Sequence, residues 1–382
     1  MKQGHTEAAS GRWLGRRLKS GNQIVVEGAL RAGCRFFSGY PITPASEIYH
    51  EMTRRLQERG DVAVGAPDEI SALCYCIGAS QWGAKAMTAT SGPGWALMVE
   101  AVQYALMTET PVVITLVQRL GPSTGGATQG AQGDVLLAEF CISGGYTIPV
   151  FCPATPLDCY VLTIHAFNWA EVLRTPVVLL SDKEVATTYE VVDGAQLPEL
   201  PVWSRPMATE GPYRPFDFSA PCEVPPFAPL AGSQKVTLTG SAHNKDGWLR
   251  KNDPETLEVL RHLQAKVEAR TAELAMVTSD LEENAETLVI SYGITSRAAR
   301  EAVLSGRSAG KRLSFLGLLT LFPLPTEAIR RAARTAKRVV VAEENLSGLY
   351  RMLLAATLSG VEVVGVNKLG GMIRPAEILE AL

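Results

Sequence analysis

The stretch PVVITLVQ, residues 111–118, runs directly into RLGPSTGG, residues 119–126. The first eight residues are almost all apolar and rich in β-branched side chains, which predicts a strand buried on both faces. The next eight are rich in glycine and hydroxyl residues, which predicts a loop. An apolar strand that ends in a polar loop is typical of a parallel sheet covered by helices on both faces.

The same alternation of apolar runs with helical patterns extends from Gly21 to about Asp182. Further strands are predicted at 35–38, 62–65, 85–90, 148–151 and 176–181, with helices at 23–32, 45–59, 68–83, 95–108 and 156–173. A second α/β pattern runs from Thr287 to Leu382, with strands at 288–292, 313–317, 338–342 and 362–366. The expected fold class is therefore α/β, beginning with a doubly wound parallel sheet.

The region between the two α/β patterns has a different composition. Nine of the 23 prolines lie between Leu197 and Leu230, which predicts a long extended crossing segment. Asp253 and Pro254 form a helix-start signal, and apolar residues recur at near-heptad spacing from there to Leu281. One long amphipathic helix is expected, packed on its own domain rather than in a subunit interface.

Composition excludes several classes of protein. The 382 residues carry 36 Lys+Arg against 39 Asp+Glu, so 36 − 39 gives a net charge of −3. This near-neutral charge does not predict binding to nucleic acid or to an anionic membrane. At 46% hydrophobic and 20% charged residues, disorder and a fibrous fold are excluded. No apolar run is long enough to span a bilayer, and the first 20 residues lack the apolar segment of a secretory signal.

The seven cysteines are irregularly spaced and include no Cys-x-x-Cys pair. This pattern predicts a reducing compartment, hence a cytoplasmic protein, with buried structural thiols. No zinc or iron–sulfur site is expected within this chain.

Four loops follow predicted strand ends, the edge where open α/β sheets bind ligands. They read YPITP at 40–44, APDEI at 66–70, TATSGPG at 88–94 and QRLGPSTG at 118–125. Each has a structural explanation. Thr43 before Pro44 is a typical helix N-cap, Glu69 a typical first-turn carboxylate, the glycine loop a turn, and Arg119 a salt-bridged or solvated residue.

Taken together and in this order, the four motifs resemble the alpha subunit of 2-oxoacid:ferredoxin oxidoreductases, most of all the 2-oxoglutarate type. The likeness resumes with VTLTGSAH at 236–243 and continues through Glu343-Glu344-Asn345 to the C-terminus. It implies an N-terminal tail at 1–20, a pyrimidine-binding domain at 21–195, a proline-rich crossing segment and long helix at 196–285, and a transketolase C-terminal-like domain at 286–382. His243 lies in a family-like stretch, with no role assigned.

The resemblance implies a thiamine diphosphate enzyme that is active only with a beta subunit, where Mg²⁺ and a [4Fe-4S] cluster are expected. Ferredoxin would accept the electrons, and coenzyme A the acyl group. Separate gamma and delta chains are possible partners, since no gamma-like domain is expected ahead of Gly21. Glu69 matches the family glutamate that bonds N1′ of the aminopyrimidine, as a cofactor-binding and catalytic residue.

The resemblance also implies a substrate site. Thr43 and Arg119 match positions that hold the substrate's 1-carboxylate and 2-oxo group, and Ser123 and Thr124 either line the pocket or form a purely structural turn. Relatives acting on 2-oxoglutarate often carry a Lys or Arg in the loop after PSTG, whereas residues 125–134 carry none. A distal carboxylate buried without a cation is unfavourable, so either the beta subunit supplies the charge or the substrate is a branched-chain or other 2-oxo acid.

Two rival classes remain open. A non-redox thiamine diphosphate decarboxylase or transferase would have a partner chain without cysteine ligand sets. A non-catalytic assembly subunit would have no reason to retain Glu69, Thr43 and Arg119 together.

Overall fold

The computed structural model describes Trp13 and residues 15–382. Of the expected N-terminal tail, residues 1–12 and 14 lie outside the described residues. Arg16–Ser20 is not a tail: it forms strand β1, which pairs antiparallel with β8 (Tyr189–Asp193). Its alternate residues are exposed, so no apolar run marks this strand in the sequence.

The N-terminal sheet has seven strands in the order β12-β6-β7-β5-β4-β2-β3, where β12 is Thr320–Phe322. Its neighbouring strands are parallel, as predicted, except for the pair β12-β6. The strands of this half are β2 (Phe36–Gly39), β3 (Val62–Gly65), β4 (Ala86–Thr90), β5 (Val112–Gln118), β6 (Val150–Phe151) and β7 (Pro176–Asp182). The helices are α1 (Gly21–Arg31), α2 (Ser46–Glu58), α3 (Glu69–Gln81), α4 (Gly92–Met107), α5 (Val135–Glu139), α6 (Pro156–Leu173) and α7 (Lys183–Thr187).

Helices cover both faces of this sheet. Alternate residues of β5 point to opposite sides, because side chains alternate along a strand. Ile114 and Leu116 pack in the core formed with α3 and α4, whereas Val113 and Val117 pack in the core formed with α1, α2 and α6. The sheet is doubly wound, as predicted.

One strand of this sheet comes from the far end of the chain. β12 (Thr320–Phe322) pairs antiparallel with β6. The sheet therefore crosses the domain boundary predicted at 285/286, which links the two halves through backbone hydrogen bonds.

The proline-rich segment has no helix or strand over residues 198–230, as predicted, and it packs on the N-terminal half. The Arg174 guanidinium donates hydrogen bonds to the carbonyls of Pro215, Pro225 and Pro226 at 3.0–3.2 Å. Prolines offer carbonyls but no N–H donor, so a buried cation is a suitable partner for such a segment.

The prediction of a single long helix after Asp253 is wrong. Asp253 caps a helix as expected, accepting from the Thr256 N–H at 2.9 Å. The helix α8 (Pro254–Glu268) is followed by a short α9 (Thr271–Leu274) and by strand β9 (Val277–Asp280). β9 pairs antiparallel with the edge of strand β11 (Leu313–Leu318), and pairing of β-branched residues along a free edge is favoured over continuation of the helix.

The C-terminal sheet has the order β14-β13-β10-β11-β9, with all neighbours parallel except β9. Its other strands are β10 (Thr287–Tyr292), β11 (Leu313–Leu318), β13 (Arg338–Glu343) and β14 (Glu362–Asn367). Its helices are α10 (Thr295–Ser308), α11 (Thr326–Ala332), α12 (Leu349–Thr357) and α13 (Pro375–Leu379).

Five of the seven cysteines are buried, as expected of structural thiols, but Cys74 and Cys222 are exposed. Cys76 lies two residues after Cys74 on α3 and faces the core, where it contacts the Met87 carbonyl at 3.1 Å. Among residues 13 and 15–382, no helix combines the length and hydropathy required to cross a lipid bilayer.

Candidate active site

The four predicted loops meet at one edge of the N-terminal sheet. β2, β3, β4 and β5 are mutually parallel neighbours, so their carboxyl ends lie on the same side. Glu69 follows β3 and Arg119 follows β5, so the two predicted side chains share this edge instead of lying at opposite ends.

Arg119 contacts two other predicted site residues, Thr43 and Thr124, through their backbone carbonyls. Its Nη1 donates to the Thr43 carbonyl at 2.6 Å, and its Nη2 donates to the Thr124 carbonyl at 3.1 Å. The residue is 7% exposed, and its Nε has no hydrogen-bond partner in the described part of the chain. No carboxylate forms an ion pair with it among the described residues, so its charge is held in place and available to an anion.

Ser123 and Thr124 are exposed at the tip of the loop after β5. Ser123 has a φ of 55°, in the left-handed region, and the loop closes through a bridge between Leu120 and Gly126. Both hydroxyl side chains therefore face away from the core, on the same loop as the Arg119 contact. The Thr43 side chain is also exposed, which leaves its hydroxyl free of the contact made by its carbonyl.

Glu69 is not the cap of its helix. That role belongs to Asp68, whose carboxylate accepts from the Ser71 N–H at 2.7 Å. Glu69 is 6% exposed, and its carboxylate has no hydrogen bond or ion pair among the described residues. Burial of an unpaired carboxylate is unfavourable unless a ligand completes it.

Gly94 allows this placement of Glu69. A Cβ at Gly94 would lie 2.7 Å from Glu69 Oε1 and closer still to the Thr90 hydroxyl. The glycine loop after β4 therefore brings backbone against the glutamate, instead of serving only as a turn. Among the residues that the structure describes, three buried hydroxyls on β2, on β4 and directly after β4 also have no hydrogen-bond partner: Ser38, Thr88 and Ser91.

Asp134 is a buried carboxylate beside the glycine loop that the sequence analysis did not single out. A Cβ at Gly92 would lie 2.9 Å from each of its carboxylate oxygens, and its buried Oδ2 has no partner among the described residues. Burial raises the pKa of Asp134 to about 6, while the Arg119 charge opposes that rise. In the sequence it looks like any acidic residue ahead of a short helix, so no local signal distinguishes it.

A buried polar network fixes the end of β5. The Gln118 amide donates to Asp182 at 3.0 Å, and its carbonyl oxygen accepts from the Asp134 N–H at 3.0 Å. Asp182 also accepts from Gln132 and from the Ile294 N–H of the C-terminal half. Burial raises the pKa of Asp182 to about 8. The Arg119 loop is thus anchored on both halves of the chain.

His243 lies away from this edge and is fully buried. Its Nδ1 lies 3.0 Å from the Asn244 carbonyl and its Nε2 lies 3.1 Å from the Met107 carbonyl. Both ring nitrogens are therefore occupied by the backbone. No group of three or more His, Cys, Asp or Glu side chains arranged to hold a metal occurs in the part of the chain that the structure describes.

Two family sequence models match this chain. The model described as pyruvate flavodoxin/ferredoxin oxidoreductase, thiamine diphosphate-binding, matches residues 27–258, which is more than half of the chain. The chain belongs to the 2-oxoacid:ferredoxin oxidoreductase family. A second model of this family, pyruvate:ferredoxin oxidoreductase core domain II, matches residues 285–377.

Within the oxidoreductase family, the predicted resemblance to 2-oxoglutarate-type alpha subunits is confirmed. The chain is 39% identical to 2-oxoglutarate synthase subunit KorA of Methanothermobacter marburgensis over 366 residues, 95% of this chain and 97% of that protein.

Two solved structures are similar to the whole chain. A 2-oxoglutarate:ferredoxin oxidoreductase from Magnetococcus marinus, with 2-oxoglutarate, coenzyme A and succinyl-CoA bound, has a TM-score of 0.90 and 29% identity. That match covers 96% of this chain, which spans 65% of the length of the solved one. A split-gene transketolase has a TM-score of 0.56 at 14% identity, covering 94% of each chain. The second likeness confirms the transketolase-like fold and carries nothing about activity.

Proposed function

We propose that this chain is the alpha subunit of an enzyme that oxidatively decarboxylates 2-oxoglutarate to succinyl-CoA, using coenzyme A and ferredoxin. The observation that carries the proposal is the sheet edge itself. Among the described residues, the buried Glu69 carboxylate has no partner and the buried Arg119 guanidinium has no carboxylate partner, and both residues follow strand ends of one parallel sheet. The solved structure from Magnetococcus marinus, which holds 2-oxoglutarate and coenzyme A, supports this choice of substrate class.

The residues at this edge fit thiamine diphosphate. Glu69 offers an unpartnered carboxylate to a ring nitrogen, and Gly94 leaves backbone close to the bound group. When bound, thiamine diphosphate supplies the nucleophilic carbon and the electron sink that decarboxylation requires. Glu69 would hold the aminopyrimidine by N1′ and stabilise the proton there.

Arg119 would hold the substrate. A guanidinium donates two parallel hydrogen bonds to a carboxylate, and the Thr43 and Thr124 carbonyls already fix its orientation. The Thr43 hydroxyl would add a donor for the 1-carboxylate or 2-oxo oxygen. Ser123 and Thr124 would line the entrance, because both lie exposed on the same loop.

The remaining parts of the reaction belong to partners. The name of the Methanothermobacter relative as a subunit supports a second chain in the active complex. We assign the Mg²⁺ ion and the [4Fe-4S] cluster to this beta subunit, and electrons would leave one at a time to ferredoxin. Separate gamma and delta chains are further candidate partners of this assembly.

A second candidate substrate is a branched-chain 2-oxo acid. The loop of residues 125–134 carries no cation, and it ends at Asp134, whose carboxylate is adverse to a second substrate carboxylate. An uncharged substrate side chain would avoid this repulsion.

The test uses the co-purified alpha–beta complex. Coenzyme A-dependent reduction of a viologen dye is measured with 2-oxoglutarate and with 2-oxoisovalerate. Faster turnover of 2-oxoglutarate is expected. Turnover of 2-oxoisovalerate alone would make the missing loop cation the better guide to the substrate. Carbon dioxide release without dye reduction would replace the proposal with a non-redox decarboxylase, and the absence of both would leave an assembly subunit.

A further inference from the structure

Gln132 lies in the loop that follows β5, residues 119–134, which begins with Arg119 and which we call the Arg119 loop. Five of the sixteen residues of this loop are glycines, and Ser123 and Thr124 at its tip are exposed. Gln132, in contrast, is fully buried. A long glycine-rich loop loses much backbone entropy when it is held in one conformation, so the contacts of its buried residue affect where Arg119 lies.

The backbone and the side-chain oxygen of Gln132 bind the C-terminal half of the chain. Its N–H donates to the Glu344 carbonyl at 2.7 Å, and its carbonyl accepts from the Asn345 side-chain amide at 3.1 Å. Its Oε1 accepts from the Thr295 hydroxyl at 3.2 Å and from the Glu344 N–H at 2.9 Å. Glu344 and Asn345 directly follow β13, and Thr295 begins α10. The carboxyl edge of the C-terminal sheet therefore holds the Arg119 loop.

The side-chain nitrogen of Gln132 extends these contacts to the strand that carries Arg119. Its Nε2 donates to the Tyr292 carbonyl at 3.0 Å and to Asp182 Oδ2 at 2.9 Å. The other oxygen of the same carboxylate accepts from the Gln118 amide at 3.0 Å. Gln118 directly precedes Arg119, so only Asp182 and Gln118 separate Gln132 from the arginine on this route.

A second route runs along the loop itself. The Leu120 N–H donates to the Gln129 carbonyl at 2.8 Å, which ties the start of the loop to a residue close to Gln132. The Arg119 guanidinium donates to the Thr124 carbonyl at 3.1 Å, and Thr124 lies inside the loop. The orientation of the guanidinium therefore depends on a loop that Gln132 fixes at its far end.

We propose that Gln132 is a positioning residue: it couples the Arg119 loop to the C-terminal half, and that half thereby sets the geometry in which Arg119 meets the 2-oxo acid. The inference rests on the proposed role of Arg119 in substrate binding. All of the predicted site residues lie in the N-terminal half, so this coupling gives the C-terminal half a part in substrate binding that it exerts through the loop. The two N–H donors and the two acceptor positions of the Gln132 side-chain amide are all used in this coupling.

The first test removes the amide. Gln132→Met keeps the approximate length of the side chain and removes its hydrogen bonds. In the alpha–beta complex the KM for the 2-oxo acid should rise roughly tenfold, because a loosened Arg119 must be ordered again when the substrate binds. The kcat should change less than about twofold, because Gln132 acts through Arg119 and not on the reacting atoms. A wild-type KM in this variant overturns the inference.

Asn168→Leu is the matched control. Asn168 is a buried amide that also holds a distant segment, because it donates to the Pro201 carbonyl and accepts from the Trp203 N–H, each at 2.8 Å. This variant should lower the unfolding midpoint, as Gln132→Met does, and retain the wild-type KM. An equal rise of KM in both variants would show a general loss of packing and overturns the inference.

A milder change tests the coupling from the C-terminal half. Thr295→Val removes the hydroxyl that donates to Gln132 and should raise the KM roughly threefold, because one hydrogen bond of the coupling is lost. Thr295→Ser keeps the hydroxyl and should restore the wild-type KM. If Gln132→Met does not fold, Thr295→Val carries the test, and a KM equal in the two Thr295 variants overturns the inference.

Hydrogen exchange of the substrate-free complex separates this inference from the proposed function. The backbone amides of residues 120–131 should exchange at least about tenfold faster in Gln132→Met than in the wild type, and at the wild-type rate in Asn168→Leu. Unchanged exchange in Gln132→Met overturns the inference, even if the complex turns over 2-oxo acids. Faster exchange confined to Gln132→Met, in a complex without turnover, supports the coupling and overturns the proposed function alone.

Discussion

Glu69 and Glu343 are both buried glutamates at the carboxyl edge of a parallel sheet, but their surroundings are opposite. The Glu343 carboxylate accepts from the Tyr292 hydroxyl at 3.0 Å, from Asn345 at 2.6 Å, and from two backbone N–H groups of α12. Glu69 accepts no hydrogen bond from the described residues. At the edge of the C-terminal sheet the buried carboxylate is fully hydrogen-bonded within the chain, and we call this the completed edge. At the edge of the N-terminal sheet Glu69 lacks such partners among the described residues, and we call this the incomplete edge.

The largest expected effect tests the incomplete edge. Glu69→Gln should lower coenzyme A-dependent dye reduction by the alpha–beta complex roughly 100-fold or more, the usual scale for acid–base assistance. The unfolding midpoint should stay equal or rise, because the change removes an unpaired buried charge. Full activity in this variant would make Glu69 a structural carboxylate like Glu343.

The second prediction applies the same substitution to the completed edge. Glu343→Gln should lower the free energy of unfolding by about 2–4 kcal/mol, because an amide N–H₂ would face donors that now share a carboxylate. Denaturant titration measures this loss, and activity per folded molecule should remain. A stable Glu343→Gln variant with lost activity would reverse the roles assigned to the two glutamates.

The third prediction concerns the cation of the incomplete edge. Arg119→Lys should raise the KM for the 2-oxo acid roughly tenfold, because an ammonium cannot bond both loop carbonyls and a carboxylate in parallel. Arg54→Lys is the control, because Arg54 is exposed on α2, and this variant should leave KM unchanged. An equal KM in both variants would exclude Arg119 from carboxylate binding.

The smallest expected effect concerns Glu139, a carboxylate that is only partly paired. One of its oxygens accepts from the Thr147 hydroxyl at 3.3 Å, and the other has no partner among the described residues. Burial raises its pKa to about 7, so the folded protein binds this proton more tightly than the unfolded chain, and stability falls as pH rises through 7.

Glu139→Gln removes this ionisation. The variant should match the wild type at about pH 4, below the ordinary pKa of a glutamate, and exceed it by about 1 kcal/mol at about pH 8, after allowance for solvent screening. Thermal unfolding at both pH values measures the difference. A lower stability of the variant at the higher pH would show that the ionised form of Glu139 is well solvated.

Much of the fold followed from local pattern. Runs such as 112–118 are long, apolar and β-branched, and burial on both faces is enough to predict them as parallel strands. The four loops, and hence the shared edge of Glu69 and Arg119, follow from the same pattern because parallel strands end on one side. The roles of Glu69, Thr43, Arg119, Ser123 and Thr124 stay predictions.

The short edge strands, the early end of one helix and the pairing of the buried carboxylates were decided only by the tertiary structure. β12 has three residues and no period of its own, and it is a strand because the edge of β6 lies beside it. The helix after Asp253 ends early because β11 offers an edge to β9. Glu69, Asp134 and Glu343 are equivalent as acidic residues in the sequence. The partners of Glu343 include Tyr292, 51 residues away along the chain, and packing between residues so far apart leaves no mark in a local pattern of residue types.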